Sequence, residues 1–136
     1  MAIEKINIAI VDDHTLFRSG LSSLLSEFDE INVVLEATNG IDLQEKIKSY
    51  PNTQLLLMDI NMPLMDGYTT TRWIKERYPK LHVLALSMFE DEKAIIGMLK
   101  AGAGGYLLKE SKPTEVLAAI KAIINKGFYI NELVSG

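Results

Sequence analysis

The chain has 136 residues, 48% hydrophobic and 24% charged, with a formal net charge of −4 and no cysteine. That suits one globular domain with its own core, not a disordered segment. It excludes a disulfide framework, a thiolate metal site and an apolar stretch of membrane-spanning length, and it argues against a domain that grips nucleic acid unaided.

Apolar runs alternate with segments of helical period from the first residues to the last. Strands are expected at about 6–11, 31–37, 54–58, 82–86 and 104–108. Phe17, Leu21, Leu24, Leu25 and Phe28 form the apolar stripe of the first intervening helix; Leu43, Ile47 and Tyr50 mark the second. The third carries Tyr68, Thr71, Ile74 and Tyr78, the fourth Ile95, Met98 and Leu99, and the fifth Val116, Leu117, Ile120, Ile123 and Ile124. Asp66-Gly67 reads as a turn into the third helix, with Asp66 as its cap. Gly102-Ala103-Gly104-Gly105 closes the fourth helix, where positive φ suits glycine, and Pro113 fits the first turn of the fifth. Five β-α units with right-handed crossovers make an α/β, doubly wound, five-stranded parallel sheet of flavodoxin-like order 2-1-3-4-5, (βα)5.

In such a sheet every strand's carboxyl end lies on one edge, where ligands bind. The first strand ends in Asp12 and Asp13, the third in Asp59, the fourth in Ser87 and the fifth in Lys109. Strands one and three are neighbours in that order, so three carboxylates share one crevice. Folding alone gives no reason to gather like charges, so the crevice is expected to take something cationic. Hard Mg²⁺ prefers oxygen ligands and would relieve the repulsion, one carboxylate could serve as nucleophile, and a lysine and a hydroxyl could hold phosphoryl oxygens. The chemistry that uses every part is phosphoryl transfer to a carboxylate.

The stretches VDDHTLFRSGLSSLL (11–25), MDINMPLMDG (58–67), LALSMF (84–89), MLKAGAGGYLLK (98–109) and GFYIN (127–131) resemble the receiver domain of bacterial two-component response regulators, the CheY-like superfamily, and within it the LuxR/NarL-type branch. The resemblance runs over roughly residues 5–131. It implies that Asp59 is the phosphoacceptor and that Asp12 and Asp13 serve Mg²⁺, Asp13 as the direct ligand. Asn61 would lend its backbone carbonyl to the metal, Ser87 the conformational-switch hydroxyl, Lys109 the phosphate contact and Tyr106 the aromatic switch. Without that role Tyr106 would be a half-buried strand aromatic with a wet hydroxyl. His14 is assigned a turn or supporting part, and Met62, Met65 and Met88 loop and rim packing.

A histidine kinase is the implied phosphodonor, and transfer to Asp59 and later hydrolysis would be self-catalysed, in a signalling domain rather than a conventional enzyme. Residues 1–131 would form the receiver domain and 132–136 the start of a linker or tail. The implied output is transcription, through a LuxR-type helix-turn-helix domain absent from this chain, and a homodimer through helix faces is compatible with the branch. The start, lacking a basic leader or apolar signal core, fits a cytoplasmic protein without membrane contact. One departure concerns Lys109: many receivers follow this lysine with proline, often after a cis bond, whereas Glu110 follows here, so a cis bond is not assumed. Two other readings compete. A haloacid-dehalogenase-like phosphatase uses similar groups, but with its nucleophile ending the first strand. A pseudo-receiver would act only as a docking or dimerisation module.

Overall fold

Five short, mainly apolar runs become strands, the central ones buried on both faces and the edge strand over Ile31–Ala37 only in part. In the computed structural model, which describes residues 4–135 and side chains through Leu133, they are β1 (Ile6–Val11), β2 (Ile31–Ala37), β3 (Leu55–Asp59), β4 (His82–Ser87) and β5 (Gly105–Leu108). All neighbouring pairs are parallel and the order is β2-β1-β3-β4-β5, as the sequence predicts. The helices are α1 (Thr15–Ser26), α2 (Gly40–Lys46) with a 3-10 turn over Ile47–Ser49, α3 (Gly67–Arg77), α4 (Glu92–Ala101), α5 (Pro113–Lys126) and α6 (Glu132–Ser135).

Side chains alternate across each strand, so a sheet covered on both faces needs unbroken apolar runs. Ile8, Ile10, Leu55, Leu57, Leu84 and Leu86 point to the layer of α1 and α5, where Leu25, Ile120 and Ile123 meet them. Their neighbours Ala9, Val11, Leu56, Met58, Val83 and Ala85 pack against Leu43, Ile74 and Met98 on the other face. Truncating one such side chain, as in Leu57→Ala, costs about 2–5 kcal/mol.

Local signals set several boundaries. Asp66 caps α3 by accepting from the Thr69 N–H at 2.8 Å, Pro113 opens α5, and Gly102 ends α4 in the left-handed region at φ 119°. Only Gly102 of the glycine-rich run has positive φ; Gly104 and Gly105 do not. Leu24 and Tyr50 are exposed instead of facing the core: Leu24 lies beyond the stripe's buried width, and Tyr50 lies past the 3-10 turn, where helical periodicity has ended. Residues 132–136, expected as the start of a linker or tail, open with α6; Gly136 and Met1–Ile3 lie outside the described residues. No peptide bond among the described residues is cis, Lys109–Glu110 included.

Candidate functional site

β1 and β3 lie side by side with Val11 registered against Met58, so the next residues, Asp12 and Asp59, leave the sheet together. Ligand oxygens of Asp12, Asp13 and Asp59 all lie within 4.8 Å of one another. Asp12 and Asp59 are buried, whereas Asp13 is exposed at the mouth. Two carboxylates at that separation repel by about 3 kcal/mol at an effective dielectric constant near 20.

Lys109, arriving from the end of β5 with only 7% of its side chain exposed, answers part of this charge. Its Nζ sits 2.7 Å from Asp12 Oδ2 and 3.3 Å from Asp59 Oδ1. Asp59 Oδ1 also accepts the Ile60 N–H at 2.9 Å. Burial, and next the charge of Asp12, push the Asp59 carboxyl up to about 6, against the opposing pull of Lys109 and the Ile60 N–H. One ammonium beside three ionised carboxylates leaves two negative charges over. The all-oxygen donor set and that residual charge fit a hard divalent cation such as Mg²⁺.

Backbone geometry keeps the acids in place. The Gly67 N–H returns to the Ile60 carbonyl at 2.8 Å and closes the 60–66 loop over the end of β3. Gly67 is there for space: a Cβ would stand 2.3 Å from the Asp59 carbonyl oxygen. Asn61 lies exposed on this loop, immediately beyond the buried Ile60, and Leu64 takes φ 70° at its tip. The His14 N–H donates to Asp12 Oδ1 at 2.8 Å, so His14 steadies the acid through its backbone, as N-cap of α1, without a side-chain cap bond. Met62 is buried in the core and Met88 is exposed.

Ser87 ends β4, one residue past Leu86, the partner of Asp59 in register. Its hydroxyl accepts the Phe89 N–H at 3.3 Å, and the Tyr106 hydroxyl donates to the Phe89 carbonyl at 3.4 Å. Tyr106 is fully buried rather than half-exposed, packed in the cluster with Val83, Ala85, Ile95 and Met98; burial is the main cause raising its phenol above the usual value. The structure thus joins Asp12, Asp13, Asp59 and Lys109 in one cluster and ties Ser87 to Tyr106 through Phe89. Asn61 follows two residues after Asp59 on the loop beyond β3.

Two neighbours escaped the sequence reading. The Lys109 ammonium stands 4.8 Å from the centroid of the Phe17 ring, a cation–π contact by a residue read only as core stripe. Arg18, 11% exposed, donates to the Asp12 backbone carbonyl and pairs with Glu36 at 3.2 Å, tying the ends of β1 and β2 together. Their positions one turn after an acidic pair were the only available signal.

The chain is similar in sequence and fold to known proteins. Residues 8–121 match the family described as "Response regulator receiver domain". The transcriptional regulatory protein DegU of Brevibacillus brevis is 41% identical over 131 residues, 96% of this chain and 55% of DegU. The chain thus spans little more than half the length of that relative. Among solved structures, the receiver domain of NarL from Mycobacterium tuberculosis superposes with a TM-score of 0.84 at 33% identity, over 90% of this chain and 98% of that one. The isolated receiver domain of RcsB from Salmonella enterica serovar Typhimurium, solved with the phosphomimetic BeF3−, gives 0.85 at 27% identity, over 97% of both chains. RcsB has also been solved as two dimers bound to two parallel DNAs, with a TM-score of 0.86 at 28% identity over 97% of this chain and 67% of that one. The chain belongs to the response regulator receiver domain family, in its LuxR/NarL-type branch, and is the receiver domain of a two-component response regulator.

Proposed function

We propose that this domain is a phosphoacceptor switch in which Asp59 takes a phosphoryl group from a histidine kinase. The observation that carries the reading is the convergence of Asp12, Asp13, Asp59 and Lys109 at the carboxyl edge of the sheet. Asp59 Oδ2 forms the new bond to phosphorus as the bond from phosphorus to the donor breaks, and the electron pair leaves with the donor. The Asp59 carboxylate is the attacking form, so transfer is favoured above the titration near pH 6. Lys109 exchanges its contact with Asp59 for one with a phosphoryl oxygen, and its charge stabilises the charge that spreads over the group in flight. Asp12, Asp13, Asp59 and the Asn61 carbonyl would hold Mg²⁺, which when bound offsets charge on the carboxylates and on the phosphoryl group. Water later attacks the phosphorus, the bond from phosphorus to the Asp59 oxygen breaks, and inorganic phosphate leaves the free carboxylate behind.

The acquired phosphoryl oxygens attract the Ser87 hydroxyl. Ser87 then gives up the Phe89 N–H, and the loop carrying Phe89 shifts under the Tyr106 hydroxyl. Because Tyr106 is already buried, the switch is a change of partner inside the core, not entry of an exposed ring. Residues 1–131 act as the receiver, and the output is transcription through a DNA-binding domain beyond this chain. That output is supported by DegU's description as a transcriptional regulator and by RcsB's dimers on DNA. We further propose a cytoplasmic setting and dimerisation through helix faces, the latter in keeping with the RcsB dimers on DNA.

Incubation with acetyl phosphate and Mg²⁺ tests the reading. The parent should gain an acid-stable, alkali-labile phosphoryl group and Asp59→Asn should gain none; equal labelling of both would remove Asp59 from its role. Steady hydrolysis of free phosphate esters would instead restore the phosphatase reading.

A further inference from the structure

β5 is an edge strand, and an exposed edge invites pairing with other chains. The residues after α5 cover it. Gly127, at φ 92°, turns the chain, which then crosses the edge without forming a regular strand. The Tyr129 N–H donates to the Gly104 carbonyl at 2.9 Å, and Asn131 Nδ2 donates to the Tyr106 carbonyl at 3.1 Å. Exposure alternates along the segment: Phe128, Ile130 and Glu132 face outward, while Tyr129, Asn131 and Leu133 are partly buried. Over 128–131 that is the two-residue period of an extended chain lying on a surface; Glu132 and Leu133 already belong to α6.

Six residues reach both layers of the fold. Tyr129 packs with the cluster shared by α1 and α5, and Leu133 with the cluster that holds Tyr106 and Met98. Leu133 shares a recess with Ile95, Ile96 and Leu99 of α4 and with Glu90 of the loop that follows Ser87. β5 is shaped for this approach. A Cβ on Gly104 would stand 3.0 Å from the Gly127 carbonyl oxygen, and one on Gly105 would stand 3.3 Å from Tyr129 Cβ. Neither glycine has positive φ, so their smallness serves close contact rather than a turn.

We propose that the edge of β5 and the apolar flank of α4 form an interaction surface whose occupant is the chain's own segment 128–133, a strap that carries changes at Ser87 and Tyr106 out of the domain. The strap is tied to the Tyr106 backbone and seated beside the loop that Ser87 holds. A shift of that loop alters both of its anchors. This coupling rests on the phosphoacceptor reading above; the docking itself does not. The strap is held by side chains that are only partly buried, among them Tyr129, Asn131 and Leu133, so it opens at lower cost than the core strands and is suited to respond.

Amide hydrogen exchange on the intact 136-residue chain tests both halves. Asn131→Ala and Leu133→Ala should each speed exchange at the Tyr129 amide about fivefold, the equivalent of one net hydrogen bond, while amides of β1 and β3 keep their rates. Unchanged exchange at Tyr129 in both variants would overturn the docking. With acetyl phosphate and Mg²⁺, a parent carrying a phosphoryl group on Asp59 should change exchange across 128–133 by a similar factor. A phosphorylated parent with an unaltered strap would overturn the coupling. If Asp59 takes no phosphoryl group, the phosphoacceptor reading and the coupling built on it fail together, and the two variants still decide the docking. Concentration-dependent self-association of Leu133→Ala alone would show the uncovered edge pairing with a second copy, which supports the covering role.

Discussion

Replacing Asp59 by Asn should make the metal-free protein more stable, although it removes the reactive group. Burial and the neighbouring Asp12 raise the Asp59 carboxyl from 3.8 to about 6 in the folded state. A raised carboxyl binds its proton more tightly folded than unfolded, so the stability it confers is present below about pH 4 and lost as pH rises through 6. The shift corresponds to about 3 kcal/mol of destabilisation once Asp59 is ionised, net of the attraction to Lys109 that already opposes it. Asparagine keeps an acceptor for the Ile60 N–H and carries no charge. In EDTA, Asp59→Asn should therefore exceed the parent by about 1–3 kcal/mol at pH 7.5, or roughly 4–10 °C in Tm for a domain of this size. The advantage should fall to about 1 kcal/mol or less at pH 4.5, where the folded parent is largely protonated. Urea unfolding at both pH values, followed by circular dichroism, measures it. A variant no more stable than the parent at pH 7.5, or an advantage that grows on acidification, would refute the argument that the acids are gathered at the fold's expense.

Mg²⁺ should reverse that ranking in part: at a hundredfold excess over its dissociation constant it adds about 2.7 kcal/mol to the parent, and clearly less to Asp13→Ala, read as thermal shifts with and without EDTA. Lys109→Ala leaves Asp12 and Asp59 buried without their cation and should cost about 3–5 kcal/mol in metal-free buffer, with much of the loss recovered on adding Mg²⁺. Gly67→Ala drives a Cβ into the Asp59 carbonyl and should lower stability by about 2 kcal/mol or more as well as slow labelling by acetyl phosphate. Gly20→Ala, in α1 with nothing within 4 Å of the added carbon, should instead stabilise by about 0.5–1 kcal/mol, and denaturant midpoints of the two variants should move in opposite directions.

The sheet was legible because its strands announce themselves as apolar runs and, in four of the five, by the polar residue that ends them. Asp12, Asp59, Ser87 and Lys109 could be set on one edge from that alone, since a parallel sheet puts every carboxyl end on the same side. Roles were another matter: the expectation that Asp59 and not Asp12 accepts phosphorus came from the resemblance, because three carboxylates look alike in a sequence. Phe17 was hidden by its own apolarity. A ring at helical spacing reads as core, and nothing local says that Lys109 will arrive over it from 92 residues away. The depth of Tyr106 was equally unreadable, since it depends on α4 closing over β5. The strap escaped because its period-two pattern spans only four residues before α6, and because Gly104 and Gly105 looked like helix punctuation until Gly127 and Tyr129 were seen against them.

The most direct measurement is borohydride trapping of the acetyl-phosphate-treated domain, with peptide mapping by mass spectrometry. An aspartyl phosphate is reduced to homoserine, so the acceptor is read as a residue change at one position. The account predicts homoserine at position 59 alone, formed with Mg²⁺ and not in EDTA. Homoserine at position 12 or 13, or conversion at 59 that is indifferent to the metal, would contradict it.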